Sequence, residues 1–96
     1  MLRLRGFRIV GRNVRVAGRE VDVVARRRGL LVICEVKARR RPQRSDPWEA
    51  VDRHKQDRLR FAAELLAAGD PTVREVRFDV VAVSGFRIRH LPAAFW

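Results

Sequence analysis

Glu20, Asp22 and Glu35 are the only acidic side chains in the first 44 residues, and each sits inside an otherwise apolar run. Side chains on a strand alternate between its faces. Glu20 and Asp22 therefore share one face of their run, and Glu35 and Lys37 share one face of theirs. The two runs, residues 20–26 and 30–37, are separated by Arg27-Arg28-Gly29 and read as a tight hairpin. With Arg28-Gly29 as a two-residue loop, Arg27 pairs with Leu30, which sets Asp22 opposite Glu35 and Glu20 opposite Lys37. Carboxylates directly across a sheet, about 5 Å apart at Cβ, repel unless something lies between them. A hard divalent cation meets that need, and magnesium also keeps waters that a substrate phosphate can displace. Lys37, two residues from Glu35, would aim its ammonium at the same place. Two acids, a lysine and a metal ion can hydrolyse a phosphodiester: the metal polarises the phosphate and acidifies the attacking water, while lysine offsets transition-state charge. A plainer arrangement stays open. Glu20 and Lys37 could form a cross-strand salt bridge, and arginines could neutralise Asp22 and Glu35 on a solvent-facing sheet, since the register can slip.

These residues need a sheet and a cover to hold them. Residues 7–16 alternate apolar and polar around a Gly11-Arg12-Asn13 break, which suggests a strand with a bend or bulge. The strand over 30–37 runs out near Ala38, and a polar loop with Pro42 follows. Asp46 reads as a helix N-cap, Pro47 as the first helical residue, and Glu49 as the partner in a capping box. Trp48, Val51, Lys55, Leu59, Ala62 and Leu66 then step by three or four, forming one stripe that is apolar except at Lys55. Gly69 reads as a left-handed helix cap, with Pro71 beyond it. Residues 73–83 form another strand, and Ser84-Gly85 turns into a short last strand over 86–91. The order is β-β-β-α-β-β. It implies an α/β fold with a mixed sheet, the helix crossing over between strands 30–37 and 76–83.

The 96 residues suit one domain, 1–96, and carry a formal charge of +11. That charge is local: residues 1–44 hold 14 basic side chains against three acids, whereas the remainder balances. So basic a half-domain is suited to polyanionic partners. Arginine outnumbers lysine 20 to 2, a compositional habit that does not account for the shortage of acids. No apolar run exceeds the five residues from Leu30 to Cys34, so nothing spans a bilayer, and no apolar segment marks a secretory signal. One cysteine excludes an internal disulfide, and with two histidines it excludes the usual four-ligand zinc site. The composition fits a small cytoplasmic domain.

Lys55 interrupts the helical stripe and points toward the sheet, where it could reach a phosphate, as could Gln56 beside it; alternatively it snorkels past its apolar neighbours. The clusters Arg26, Arg27, Arg28 and Arg39, Arg40, Arg41 flank opposite ends of the hairpin and could grip a nucleic-acid backbone on either side of a site. Trp48 reads as core, and Phe95 and Trp96 as either sheet packing or a contact patch. Cys34 alternates away from Glu35 and reads as a small core hydrophobe. Arg77 and Asp79 share a face and read as a structural ion pair, while His54 and His90 carry no evident role.

Asp22 followed, after a twelve-residue gap, by Glu35-Val36-Lys37 resembles the split motif of the PD-(D/E)XK nucleases. Six segments in order extend the likeness over nearly the whole chain: GFRIVGRN from Gly6, EVDVVA from Glu20, EVKAR from Glu35, KQDR from Lys55, RFDVV from Arg77 and IRHLPAAF from Ile88. Together they resemble the YraN family, regarded as endonuclease-like and similar to archaeal Holliday-junction resolvases. The resemblance implies a restriction-endonuclease-like fold. It implies Mg²⁺ (or Mn²⁺) on Asp22 and Glu35 with the main-chain carbonyl of Val36, and Lys37 assisting the water or the phosphate. Glu20, Lys55 and Gln56 are expected to serve that site as accessories. The family pattern also begins with a helix ahead of the segment matching Leu4-Arg5-Gly6, so this chain is expected to lack an N-terminal helix and to expose a sheet face suited to homodimerisation. The expected activity is metal-dependent cleavage of nucleic acid, DNA favoured over RNA and branched DNA included. The alternatives are a non-catalytic nucleic-acid-binding module and a protein-interaction subunit that dimerises through the uncovered face.

Overall fold

The computed structural model describes residues 6–39 and 53–95. Five strands and one helix follow one another as β1 (Arg8–Val16), β2 (Arg19–Arg27), β3 (Leu30–Arg39), α1 (Arg53–Ala68), β4 (Glu75–Ser84) and β5 (Arg87–Phe95). They form one sheet in sequential order β1-β2-β3-β4-β5. Neighbours are antiparallel except β3 and β4, which are parallel, with α1 in the connection between them. Parallel neighbours cannot be joined by a tight turn, and the helix supplies the required return path. The result is an α/β mixed sheet consistent with a restriction-endonuclease-like fold.

The apolar run of β3 explains its central place. Leu31, Val32, Ile33, Cys34 and Glu35 are all buried, the pattern of a strand covered on both faces. On one side, Leu59, Ala62 and Ala63 of α1 pack with Val21, Val24, Leu31, Ile33, Phe78, Val80 and Phe95. The two alanines let the helix lie close to the sheet, and Phe95 stacks on Phe78 with ring centroids 4.9 Å apart. On the other side, Val23, Cys34 and Val81 pack with Ile9, Val36 and Val83. The helical stripe expected through Lys55, Leu59, Ala62 and Leu66 is therefore the face that meets the sheet. Trp48, Val51 and the capping residues Asp46, Pro47 and Glu49 lie outside the described residues, as do Arg40, Arg41 and Trp96.

Turns set the register. Arg27 pairs with Leu30 across Arg28-Gly29, and the pairing runs back to Val23 opposite Cys34. Arg28 adopts φ +53, a left-handed conformation that costs a non-glycine residue roughly 1–2 kcal/mol. Its carbonyl is held by the Arg26 guanidinium at 2.6 Å, and the Gly29 carbonyl accepts the amides of Arg74 and Glu75. The irregularity in β1 falls between Ile9 and Gly11, one step before the expected break.

The helix does not end as expected. Gly69 lies outside the left-handed region, and its amide continues the helical pattern to the Leu65 carbonyl at 3.2 Å. Termination passes to Asp70, whose carboxylate accepts the Thr72 amide and hydroxyl at 3.0 and 2.6 Å. Glycine permits a left-handed cap without requiring one, and this side-chain turn competes successfully. No described helix is long and apolar enough to cross a membrane.

Candidate functional site

Asp22 and Glu35 converge beneath α1. Beyond the last paired residues of β2 and β3, the Val36 amide donates to Asp22 Oδ2 at 2.9 Å, so the aspartate side chain reaches across to the Glu35-Val36-Lys37 segment. Glu35 is only 4% exposed, an uncommon position for a carboxylate without partners. Its partners are two ammonium groups: Lys55 Nζ of α1 at 2.5 Å from Oε1, and Lys37 Nζ of β3 at 3.8 Å. Of the alternatives left open for Lys37, the cross-strand salt bridge with Glu20 is not the one formed; Lys37 stands beside Glu35 on its own strand. Glu20 is exposed and lines the same cleft, about 320 Å³, with Asp22, Glu35, Lys55 and Arg58. Gln56 lies beside Lys55 but accepts a hydrogen bond from Arg60 at 3.1 Å and does not line the cleft.

The two lysines respond oppositely to this setting. Burial, reinforced by the hydrogen bond and charge of Lys55, lowers the Lys37 pKa despite the attraction of Glu35 and Asp22. For Lys55 burial also lowers the pKa, but hydrogen bonds with Glu35 and Lys37 and the charges of Glu35 and Asp22 together raise it. Lys55 is thus the standing cation, and Lys37 the lysine more ready to give up a proton. That division suits charge stabilisation by one group and proton transfer by the other.

Comparison with known proteins adds kinship. A family model described as the uncharacterised protein family UPF0102 matches residues 1–83. The chain belongs to the UPF0102 family. A UPF0102 protein of Dictyoglomus thermophilum is 42% identical over 83 residues, covering 85% of this chain and 70% of the relative. One of Rhodopseudomonas palustris strain HaA2 is 43% identical over 97 residues, covering 98% and 74%. One of Desulforapulum autotrophicum is 44% identical over 97 residues, covering 95% and 79%. The YraN resemblance is this family, and UPF0102 membership by itself assigns no activity.

The arginines of this UPF0102 chain divide by use. Arg26 is turned inward, with Nη1 2.5 Å from Asp70 Oδ2 and Nη2 3.0 Å from Thr72 Oγ1, tying the hairpin to the end of α1. Arg27 and Arg28 remain exposed and line a concavity with Gly6, Arg8 and Arg26. Arg39 closes β3 beside Ser84 of β4.

A second polar cluster lies across the sheet from α1. Asp79 is fully buried and receives Arg77 Nε and Nη2, each at 2.9 Å, the Ala93 amide at 3.0 Å and His90 Nε2 at 2.7 Å. Burial would raise its pKa, but hydrogen bonds from Arg77, Ala93 and His90 outweigh that and lower it. The Arg77–Asp79 pair was legible from the shared face. The part played by His90 was not, because it depends on the β4–β5 register, which is interrupted between Phe78 and Val80.

Cys34, beside Asp79 in the sheet, is fully buried, and burial together with the charges of Asp79, Asp22 and Glu35 pushes its thiol up to about 12. It is therefore inert in the folded chain. Iodoacetamide at pH 8 should leave native protein unmodified and label one thiol in urea. Rapid labelling without urea would contradict this burial.

Proposed function

We propose that this protein is a metal-dependent nuclease that hydrolyses phosphodiester bonds in DNA. The observation that carries the reading is the meeting of Asp22, Glu35 and Lys55 in one cleft under α1, with Lys37 3.8 Å from Glu35, in a chain of net charge +11. Among the described residues no group of three or more His, Cys, Asp or Glu side chains is arranged for a metal ion. Two hard carboxylates still fit magnesium or manganese, because such ions are held by one or two carboxylates while water and substrate phosphate complete the shell. Asp22 and Glu35 would hold the ion, with the main-chain carbonyl of Val36 as a further oxygen. When bound, the ion polarises the phosphate and makes its water a stronger acid. Val36 N–H fixes the Asp22 carboxylate, Lys55 holds Glu35, and Lys37 meets the phosphate or takes the proton of the attacking water. Glu20 adds negative charge at the mouth of the cleft, and the exposed Arg27 and Arg28 neutralise backbone phosphates further away.

The 2.5 Å contact between Lys55 and Glu35 favours a second reading, a nucleic-acid-binding module in which lysines occupy the place of the metal ion. Turnover separates the two. The full chain is incubated with Mg²⁺ or Mn²⁺ on duplex, flap and four-way-junction DNA; cleavage supports the nuclease, and binding with no cleavage of any substrate refutes it. Either reading requires salt-sensitive binding. With about four phosphates neutralised, affinity should fall on the order of a hundredfold between 50 and 200 mM salt. A salt-indifferent affinity would remove the polyanion from both.

A further inference from the structure

The turn between β4 and β5 exposes a large aromatic side chain at the end of the sheet that carries the candidate site. Ser84 pairs with Arg87 across a two-residue loop, Gly85-Phe86, in which Gly85 adopts φ +56. A positive φ at the first loop position suits the tight hairpin turn that places glycine there. The second position needs no aromatic residue, yet Phe86 is 107% exposed, with none of the described residues packed on it. Arg87 and Arg89 follow, both exposed.

Strand register ties this arm to the site. Lys37 neighbours Ala82, and Ala82 pairs with Arg89, so the three form one row across β3, β4 and β5. Residues in such a row share a face, and Arg89 lies on the α1 side with Glu35 and Lys37. At 4.7–4.9 Å per strand, Arg89 is about 10 Å from Lys37, and Phe86 lies about 10 Å further along the strands. The straight-line separation of Phe86 from Lys37 is about 14 Å, roughly four stacked nucleotides at 3.4 Å per step. A backbone leaving the carboxylates along this row meets two guanidinium groups and then an aromatic ring.

We propose that the β4–β5 hairpin is a substrate-reading arm, in which Arg89 and Arg87 hold backbone phosphates and Phe86 stacks on an unpaired base at a branch point. The inference rests on the nucleic-acid reading of the Asp22–Glu35 site and adds the substrate class: DNA with an unstacked base a few nucleotides from the scissile bond. Charge favours nucleic acid over a second copy of this chain as occupant. Two arms, each an exposed ring beside two arginines, repel each other, whereas a base and its phosphates complement both features. A paired, stacked base offers the ring no free face. The arm therefore discriminates branched from continuous duplex DNA.

Fluorescence anisotropy in EDTA measures binding of the full chain to a four-way junction, a flap and a blunt duplex without cleavage. Phe86→Ala should weaken junction and flap binding about tenfold, leave the blunt duplex within about twofold, and leave thermal unfolding unchanged. Phe86→Trp should restore the preference, and Arg89→Glu should weaken all three substrates. The fluorescence of 2-aminopurine at the branch point should fall on binding native protein and not on binding Phe86→Ala. Equal binding by Phe86→Ala, or unchanged 2-aminopurine emission, overturns the arm. So does a lower mass for Phe86→Ala in light scattering, which would make the ring a contact between copies. Cleavage by the native chain with no effect of Phe86→Ala on preference refutes the arm alone. Phe86-dependent junction binding without cleavage refutes the nuclease alone, and no binding to DNA refutes both.

Discussion

Glu35→Gln is expected to lower metal-dependent DNA cleavage by about two to three orders of magnitude while leaving junction binding largely intact. The substitution keeps the shape of the side chain and an oxygen for Lys55, but removes the charge on which a divalent ion depends. Asp22→Asn should act the same way through a different contact. Its amide oxygen can still accept the Val36 amide, so the strand geometry survives while the second anionic ligand is lost. Both variants also leave Lys37 and Lys55 without their full countercharge, which makes thermal unfolding the necessary control. Folded variants that bind but do not cut support the site. Cleavage at native rate by either folded variant would move the chemistry elsewhere in the molecule.

Asp79→Ala is expected to cost about 3–5 kcal/mol of stability, because it leaves the Arg77 guanidinium, the Ala93 amide and His90 without their shared acceptor. Ala93 itself has φ +51, and the bond from its amide to Asp79 holds the chain in that conformation. Asp79→Asn removes the charge with little change in volume and is the better variant for equilibrium work. Its pH dependence follows from linkage. The folded-state pKa of Asp79 is lowered, so the charged form contributes stability above the unfolded value, near 3.9, and that contribution is lost as pH falls through the lower folded value. Urea unfolding should therefore separate native protein from Asp79→Asn fully at pH 7 and progressively less below about pH 4. A constant difference across that range, or none at pH 7, would remove Asp79 as the organiser of β4 and β5.

Neither result depends on Cys34. That residue and Asp79 are neighbours on the face away from α1, whereas Asp22, Glu35 and Lys37 lie on the face beneath it. The sheet keeps a structural carboxylate and a candidate metal-binding pair apart by parity alone, since side chains one residue apart point to opposite faces.

That parity was readable from the residues. Arg28-Gly29 set the hairpin, the hairpin set the pairing of Arg27 with Leu30, and the pairing brought Asp22 toward Glu35. The helical stripe likewise announced that Leu59 and Ala62 would be buried and that Lys55 would point at the sheet. Turn chemistry and side-chain periodicity are local properties, so they survive translation from sequence to structure. Gly69 was misleading because glycine permits more than one ending, and the turn at Asp70 took over.

Tertiary structure decided which partner each charge would take. Lys37 could face Glu20 or Glu35, Lys55 could snorkel or reach a phosphate, and Arg26 was read as a grip on nucleic-acid backbone; spacing settled none of the partners they took. The fold chose Glu35 for both lysines and Asp70 for Arg26. It also recruited His90 to Asp79 across an irregular strand pair that no local pattern encodes. The residues determined the strands, the hairpin register, the helix face and the family. Long-range packing determined the ion pairs, because a charge selects its partner by distance and burial, and both are set only after the elements have met.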